Sequence, residues 1–178
     1  MKLLKFVKYD YQKHFSWLFE HMTDPEEQKW FLTYTAENSV REFEGWLEDR
    51  LKHYYTEFFV IEDHGQTAGF VYAYEYHIRD GHCKIGVYIA PELRNSGMGA
   101  VAGLQMMRHV FTYYPLRRIN CDVYEYNIQS LNSLLQAGFE KMGLWKEYRY
   151  YKGKYYDLIL LTMTRERYIE KYEKFFPE

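Results

Sequence analysis

From Ile85 to Ala100 the chain reads Ile-Gly-Val-Tyr-Ile-Ala-Pro-Glu-Leu-Arg-Asn-Ser-Gly-Met-Gly-Ala. Ile85 to Ile89 has the make-up of a strand. Arg94, Asn95 and Ser96 form a polar turn, and Gly97 and Gly99 open a helical spacing. Such a turn leaves backbone N–H groups pointing outward at a helix start, with the helix dipole behind them. That arrangement suits a phosphate or pyrophosphate. Glycines lack the Cβ that would keep a bulky anion from the backbone. The same composition also describes a plain strand–turn–helix whose glycines only shape the turn.

Three phosphate-binding patterns compete for this loop. A Walker-type loop needs Gly-x-x-x-x-Gly-Lys-Ser/Thr. Ala100 and Val101 follow Gly99, so the lysine and the metal-binding hydroxyl are missing. A dinucleotide fingerprint fits better on paper. Gly97-x-Gly99-x-x-Ala102 satisfies it, and Asp122 stands where its ribose acid belongs. That pattern puts its first glycine at the end of the strand, however. Here Ala90 to Ser96 lie between Ile89 and Gly97, and no repeated βαβ unit surrounds the loop.

The third pattern is Gln/Arg-x-x-Gly-x-Gly/Ala. Arg94-Asn-Ser-Gly97-Met-Gly99 resembles it without a gap. It is the pyrophosphate loop of the acyl-CoA-dependent N-acyltransferases, the GNAT superfamily. Asn127-Ile-Gln-Ser130 after a strand, then Gly138-Phe139, extend the resemblance. Gly143, Gly153 and Tyr155-Tyr-Asp157 fall at the spacing of the RimJ/RimL and spermidine acetyltransferase branch. The likeness is strong over residues 83–163 and looser before them.

The resemblance implies a site. Strands His82 to Ile89 and Arg118 to Tyr124 would splay apart and admit the pantetheine arm of acetyl-CoA. Backbone groups of Val87 and Ile89 would pair with the arm's amides. The stretch Arg94, Asn95, Ser96, Gly97, Met98, Gly99 and Ala100 would hold the pyrophosphate through its main-chain N–H groups. Asn127, which both donates and accepts, would clamp the arm from the far side.

The chemistry asks for a neutral amine, a donor for the oxyanion and a proton for the thiolate. Here the chain departs from the family. Leu134 stands where a tyrosine usually serves as acid, and Lys84 where many members have a strand glutamate. Substitute bases are Glu75 and His77. Substitute acids are Tyr124, Tyr126 and Ser133. Glu75 and Tyr124 are the pair expected to carry the reaction.

These residues need elements to position them. Lys2 to Tyr9 alternates as a strand. Asp10 caps a helix to about Met22. Ser39-Val-Arg-Glu42 reads as a capping box ahead of Phe43, Trp46, Leu47 and Leu51. Thr56 to Glu62 and Thr67 to His77 flank the turn His64-Gly65-Gln66. After the His82–Ile89 strand, Gly97 to Tyr114 has helical spacing. Arg118 to Tyr124 is a strand, Ile128 to Gln136 a helix, and Phe139 to Tyr150 with Lys154 to Met163 a hairpin. Arg165 to Phe176 ends the chain as a helix. The order βααβββαβαββ plus a terminal helix predicts an α/β fold: one GNAT-like domain over 1–178, a mixed central sheet and helices on both faces.

Composition narrows the partners. Net charge is −2 with scattered signs, so no basic stripe points to nucleic acid and no polybasic block to a membrane surface. No apolar run reaches the ~20 residues that span a bilayer, and the first ten residues lack a signal peptide's apolar core. Cys83 and Cys121 are too few for a disulfide framework and read as cytoplasmic thiols. His77, His82 and Cys83 do not have the spacing of a structural zinc site, so no metal is expected. The 20 tyrosines suit a half-exposed sheet or an aromatic wall for a cationic substrate. Glu26, Glu27, Glu37 and Glu42 fall in the connection that shapes the acceptor pocket in the resembled family, as a solvated loop or as an attractor of polyamines. The expected function is acetyl transfer from acetyl-CoA to a small amine, a polyamine or a protein N-terminus, with a homodimer left open. The alternative is a non-catalytic acetyl-CoA-binding regulatory or interaction protein.

Overall fold

The computed structural model describes residues 3–31 and 39–176. The described residues build one mixed sheet in the order β1-β2-β3-β4-β5-β7-β6. The strands are β1 (Lys5–Val7), β2 (Tyr55–Asp63), β3 (Gln66–His77), β4 (His82–Ile89), β5 (Arg118–Tyr124), β6 (Glu140–Tyr151) and β7 (Lys154–Thr164). Every neighbouring pair is antiparallel except β4 with β5. That parallel pair needs a crossover, and the helix α4 (Met98–Tyr113) supplies it.

Helices cover both faces, as expected. The helices α4, α5 (Ile128–Ala137) and α6 (Arg165–Tyr172) bury Met106, Met107, Val110, Leu131 and Tyr168 against Ile85, Ile119, Leu161 and Met163. On the other face, α1 (Tyr11–Thr23) and α3 (Val40–Asp49) press Phe15, Leu18, Phe43 and Leu47 onto Phe58, Phe70, Tyr74 and Tyr88. The two cores follow from strand alternation. On β4, Cys83, Ile85 and Ile89 join the first core and Tyr88 the second.

The local signals work through side-chain caps. Asp10 Oδ1 accepts the Lys13 N–H at 3.2 Å at the start of α1. Ser39 Oγ accepts the Glu42 N–H at 3.3 Å and donates to the Glu42 carboxylate at 2.6 Å. Some elements differ from the expected ones. The first strand is shorter, Lys5–Val7. A short extra helix, α2 (Pro25–Gln28), starts where Asp24 Oδ1 accepts the Glu26 N–H at 2.8 Å. Asp24 followed by Pro25 is an N-cap and first-turn signal for this helix. A π-helical turn (Arg50–Tyr54) carries the chain from α3 into β2, and the terminal helix gives way to a 3₁₀ turn at Glu173–Phe175. No helix among the described residues is long and apolar enough to cross a membrane.

Candidate active site

The parallel pair is short. His82, Cys83 and Lys84 are in register with Arg118, Ile119 and Asn120, and no later residue of β4 is registered with β5. At the point of parting, the buried Cys121 thiol donates weakly to the Ile85 carbonyl at 3.6 Å. Burial pushes the Cys121 thiol well up and the Cys83 thiol to about 12. Beyond that point Val87 and Ile89 lie on a strand edge no longer registered with β5, with Val87 the more exposed of the two. Gly86 sits here because a Cβ would run into the Tyr72 ring on the neighbouring strand.

The Arg94–Ala100 loop lies at the end of β4, after a 3₁₀ turn at Pro91–Leu93. Asn95 and Gly97 adopt φ of 63° and 84°. Two left-handed residues in three positions curl the backbone so that successive N–H groups face one side. Arg94 N–H reaches Pro91 O at 3.3 Å and Val101 N–H reaches Gly97 O at 3.1 Å. Met98 N–H is held by Ser96 Oγ at 3.3 Å. The N–H groups of Asn95, Ser96, Gly97, Gly99 and Ala100 have no acceptor among the described residues. A Cβ at Gly97 would meet nothing within 4 Å, so backbone conformation and not crowding requires glycine there.

The Arg94 side chain turns away from these donors. Its Nε donates to Ile89 O at 3.1 Å, and its two terminal nitrogens grip the buried carboxylate of Glu27. Tyr88 Oη donates to the same carboxylate at 2.9 Å. Glu27 belongs to α2, so this cluster ties the loop to the first helical connection across a separation of 67 residues. Across the mouth, Gln129 Nε2 donates to Asn95 Oδ1 at 2.6 Å. Asn127 caps α5, its Oδ1 accepting the Ser130 N–H at 3.2 Å. Its Nδ2 has no acceptor among the described residues, so cap and clamp would use different atoms.

At the closed end of the slot, Lys84 Nζ lies 2.9 Å from Glu75 Oε2 and 2.8 Å from Asp122 Oδ2. Burial alone would lower the Lys84 ammonium's pKa. Bonds to Asp122 and Glu75 outweigh it, and the net shift is upward. Glu75 sits in a β-bulge of β3 with φ 50°. A non-glycine residue held there costs about 1–3 kcal/mol, and such strain clusters at functional sites. Asp122 was legible in the sequence only as the acid of a pattern that does not apply. Its place beside Lys84 comes from strand pairing.

Two residues on, along the same face of β5, lies Tyr124. Burial raises its hydroxyl above the usual range, against the pull of Arg149, whose Nη1 donates to it at 3.3 Å. Tyr126 stacks on Tyr124 with centroids 5.3 Å apart, meets Tyr151 at 5.4 Å and Tyr156 at 4.8 Å, and donates to Lys29 O at 2.6 Å. The other expected candidates stand elsewhere. Ser133 is exposed on α5, and Leu134 packs against the aliphatic core. His77 and His82 face each other at 4.6 Å with Asp80 beside them, while Cys83 is buried in the aliphatic core. Glu37 lies outside the described residues.

A donor-lined loop at the mouth of a parted strand pair, on this sheet order, defines the class of acyl-CoA-dependent N-acyltransferases. Residues 8–160 match the acetyltransferase (GNAT) domain, and the chain belongs to that family. It is similar to the SPbeta prophage-derived uncharacterized N-acetyltransferase YokL of Bacillus subtilis strain 168, 28% identical over 133 residues, 74% of this chain and 72% of that one. Its fold resembles spermidine N-acetyltransferase from Vibrio cholerae, solved with CoA and spermine, with TM-score 0.84, 18% identity, and coverage of 93% and 98% of the two chains. A GCN5-related N-acetyltransferase from Brucella melitensis matches with TM-score 0.76, 22% identity, and coverage of 94% and 78%. The chain is an acetyl-CoA-dependent N-acetyltransferase, and acetyl-CoA is its co-substrate.

Proposed function

We propose that the enzyme acetylates a primary amine, either a small free amine or a protein N-terminus, in the cytoplasm. The observation that carries this reading is the parting of β4 from β5 after Lys84, beside a loop with unsatisfied N–H donors. The pyrophosphate of acetyl-CoA rests on the N–H groups of Asn95, Ser96, Gly97, Gly99 and Ala100, where the helix dipole adds to them. The pantetheine arm runs along Val87 and Ile89 as an added half-strand. Only one backbone side of Ile89 serves, because its carbonyl already accepts from Arg94. Asn127 Nδ2 closes the arm from the opposite wall. The two buried free thiols, Cys83 and Cys121, accord with a reducing compartment.

At the thioester, the amine nitrogen attacks the carbonyl carbon, a C–N bond forms and the C–S bond breaks. The amine proton leaves toward Glu75, directly or through water, and the departing thiolate takes a proton from Tyr124. Raised by burial, the Tyr124 hydroxyl stays protonated at neutral pH. Lys84 holds the Glu75 carboxylate in place. The test is CoA release with a panel of small amines and peptides, with the acceptor's mass read alongside. Turnover that adds one acetyl group to a nitrogen is expected. Tight acetyl-CoA binding with no acetylated product from any amine contradicts the reading.

A further inference from the structure

We propose, resting on the primary-amine reading, that the acceptor also carries a carboxylate and that Arg149 receives it. Four carboxylates around the slot already have cations. Glu27 is gripped by Arg94, Glu75 and Asp122 share Lys84, and Glu26 pairs with Lys29 at 2.8 Å. Arg149 forms no ion pair with any described carboxylate, Glu125, Glu147 and Asp157 included. Its partner is Tyr124: one N–H bonds the hydroxyl, and the guanidinium stands over the ring at 5.2 Å. The remaining donors of its planar fork suit a carboxylate held by two parallel bonds. Lys152 over Tyr151 and Lys154 over Tyr156 add positive charge around the same tyrosine cluster, at 5.4 and 4.8 Å.

The placement of Arg149 is built into the hairpin. Trp145 is registered with Leu158 and Arg149 with Tyr156, so residues 146 to 148 bulge out opposite Asp157 alone. Glu147 holds φ 51°, and Asp157 Oδ1 accepts its N–H at 2.8 Å. Bulges re-aim side chains, and this one delivers the guanidinium to the ring of Tyr124, one β-repeat of about 7 Å from Asp122. A polyamine brings only positive charge to this wall. An amine with a carboxylate meets it with an ion pair.

Matched acceptors that differ only in that group decide the matter: L-lysine against cadaverine, L-tyrosine against tyramine, and amino acids against their α-amides. The acid members should have kcat/KM higher by about tenfold or more, mostly through KM. Arg149→Gln should shrink that advantage by about 10- to 100-fold, the scale of a lost charge-assisted bond. Arg149→Lys, which keeps charge and stem but not the fork, should restore part of it and covers the case in which the glutamine variant fails to fold. Spermidine or an acid-free member outpacing its acid partner overturns the proposal, as does an unchanged ratio in folded Arg149→Gln. Absence of turnover with every acceptor fails the primary-amine reading instead. Calorimetric titration of the same pairs into CoA-loaded protein then tests the subsite alone, where equal binding of acid and amide overturns it.

Discussion

The two faces of the sheet are built from different materials. Among the described residues, eight of the twelve buried in the α1/α3 core are aromatic, against four of twenty-three in the α4/α5/α6 core. The aliphatic side is filled with Ala, Val, Ile and Met, and it supports α4 and the donor loop. Its task is to hold one backbone conformation, for which volume and chain direction suffice. The aromatic side carries stacked rings, and a second ring group, Tyr124–Tyr126–Tyr156, stands beside the Lys84–Asp122 pair. Rings have few rotamers and directional packing, which suits that face to the acceptor-selecting role proposed for it. On this account, the shared task of holding acetyl-CoA belongs to the loop and the individual task of choosing an amine to the rings.

The comparison breaks most visibly in catalysis. Glu75→Gln should lower kcat by about 10²–10⁴, the range of a general base, with acetyl-CoA affinity unchanged. Tyr124→Phe should cost less than about 10², because a thiol with pKa near 8.5 leaves tolerably without a strong acid. Accordingly kcat/KM should climb with pH as the amine loses its proton and show no steep fall below about pH 9. Steady-state kinetics across pH checks all three, and a collapse in Tyr124→Phe alone would reverse the assigned weights.

Next in size is the loop. Gly97→Val forces a side chain into φ 84° and should weaken acetyl-CoA binding by about tenfold or more, or 1.4 kcal/mol. Calorimetry on the folded variant measures it, and equal affinity would remove the loop from the site.

Asn127 sharpens the division between scaffold and site. Asn127→Ala loses both cap and clamp, and should cost about 1 kcal/mol of stability and about 0.5–1.5 kcal/mol of CoA affinity. Asn127→Asp keeps the capping oxygen, so it should hold its melting temperature and lose only the affinity. Unchanged CoA affinity in the aspartate variant would make the residue structural alone.

The smallest effect separates the faces by pH. Burial would raise the Glu57 carboxyl, but bonds from Tyr114 and His109 of the aliphatic side hold it net below its ordinary 4.5. Its stabilisation is present above that value and fades as pH falls through the depressed one. Lys84 works oppositely. Its raised ammonium stabilises below 10.5 and loses that contribution as pH rises through the folded value. Melting temperatures should therefore become less acid-sensitive in Glu57→Gln and less alkali-sensitive in Lys84→Met. Parallel melting curves for variant and parent at either extreme would contradict the assignment.

How much of this was readable in advance follows the same division. The donor loop was legible because its requirements are contiguous: a strand end, two glycines and a helix start within sixteen residues. Asp10, Ser39 and Asn127 announced their helices because capping is local. The Glu27–Arg94 grip spans 67 residues, and α2 is a four-residue helix too short for periodicity to reveal. Lys84 looked like the loss of a base. Strand pairing instead makes it the hub of two carboxylates, a contact that no spacing encodes. Arg149 was invisible because a bulge, which shifts the register by residues 146–148, decides where it points.

A crystal structure with CoA bound tests the central claim most directly. The pyrophosphate should lie on the N–H groups of Asn95, Ser96, Gly97, Gly99 and Ala100, the arm between Val87 and Asn127, and the sulfur at the Lys84–Asp122 end, opening toward Tyr124. CoA with its pyrophosphate away from this loop, or with its sulfur facing the aliphatic core, would contradict it.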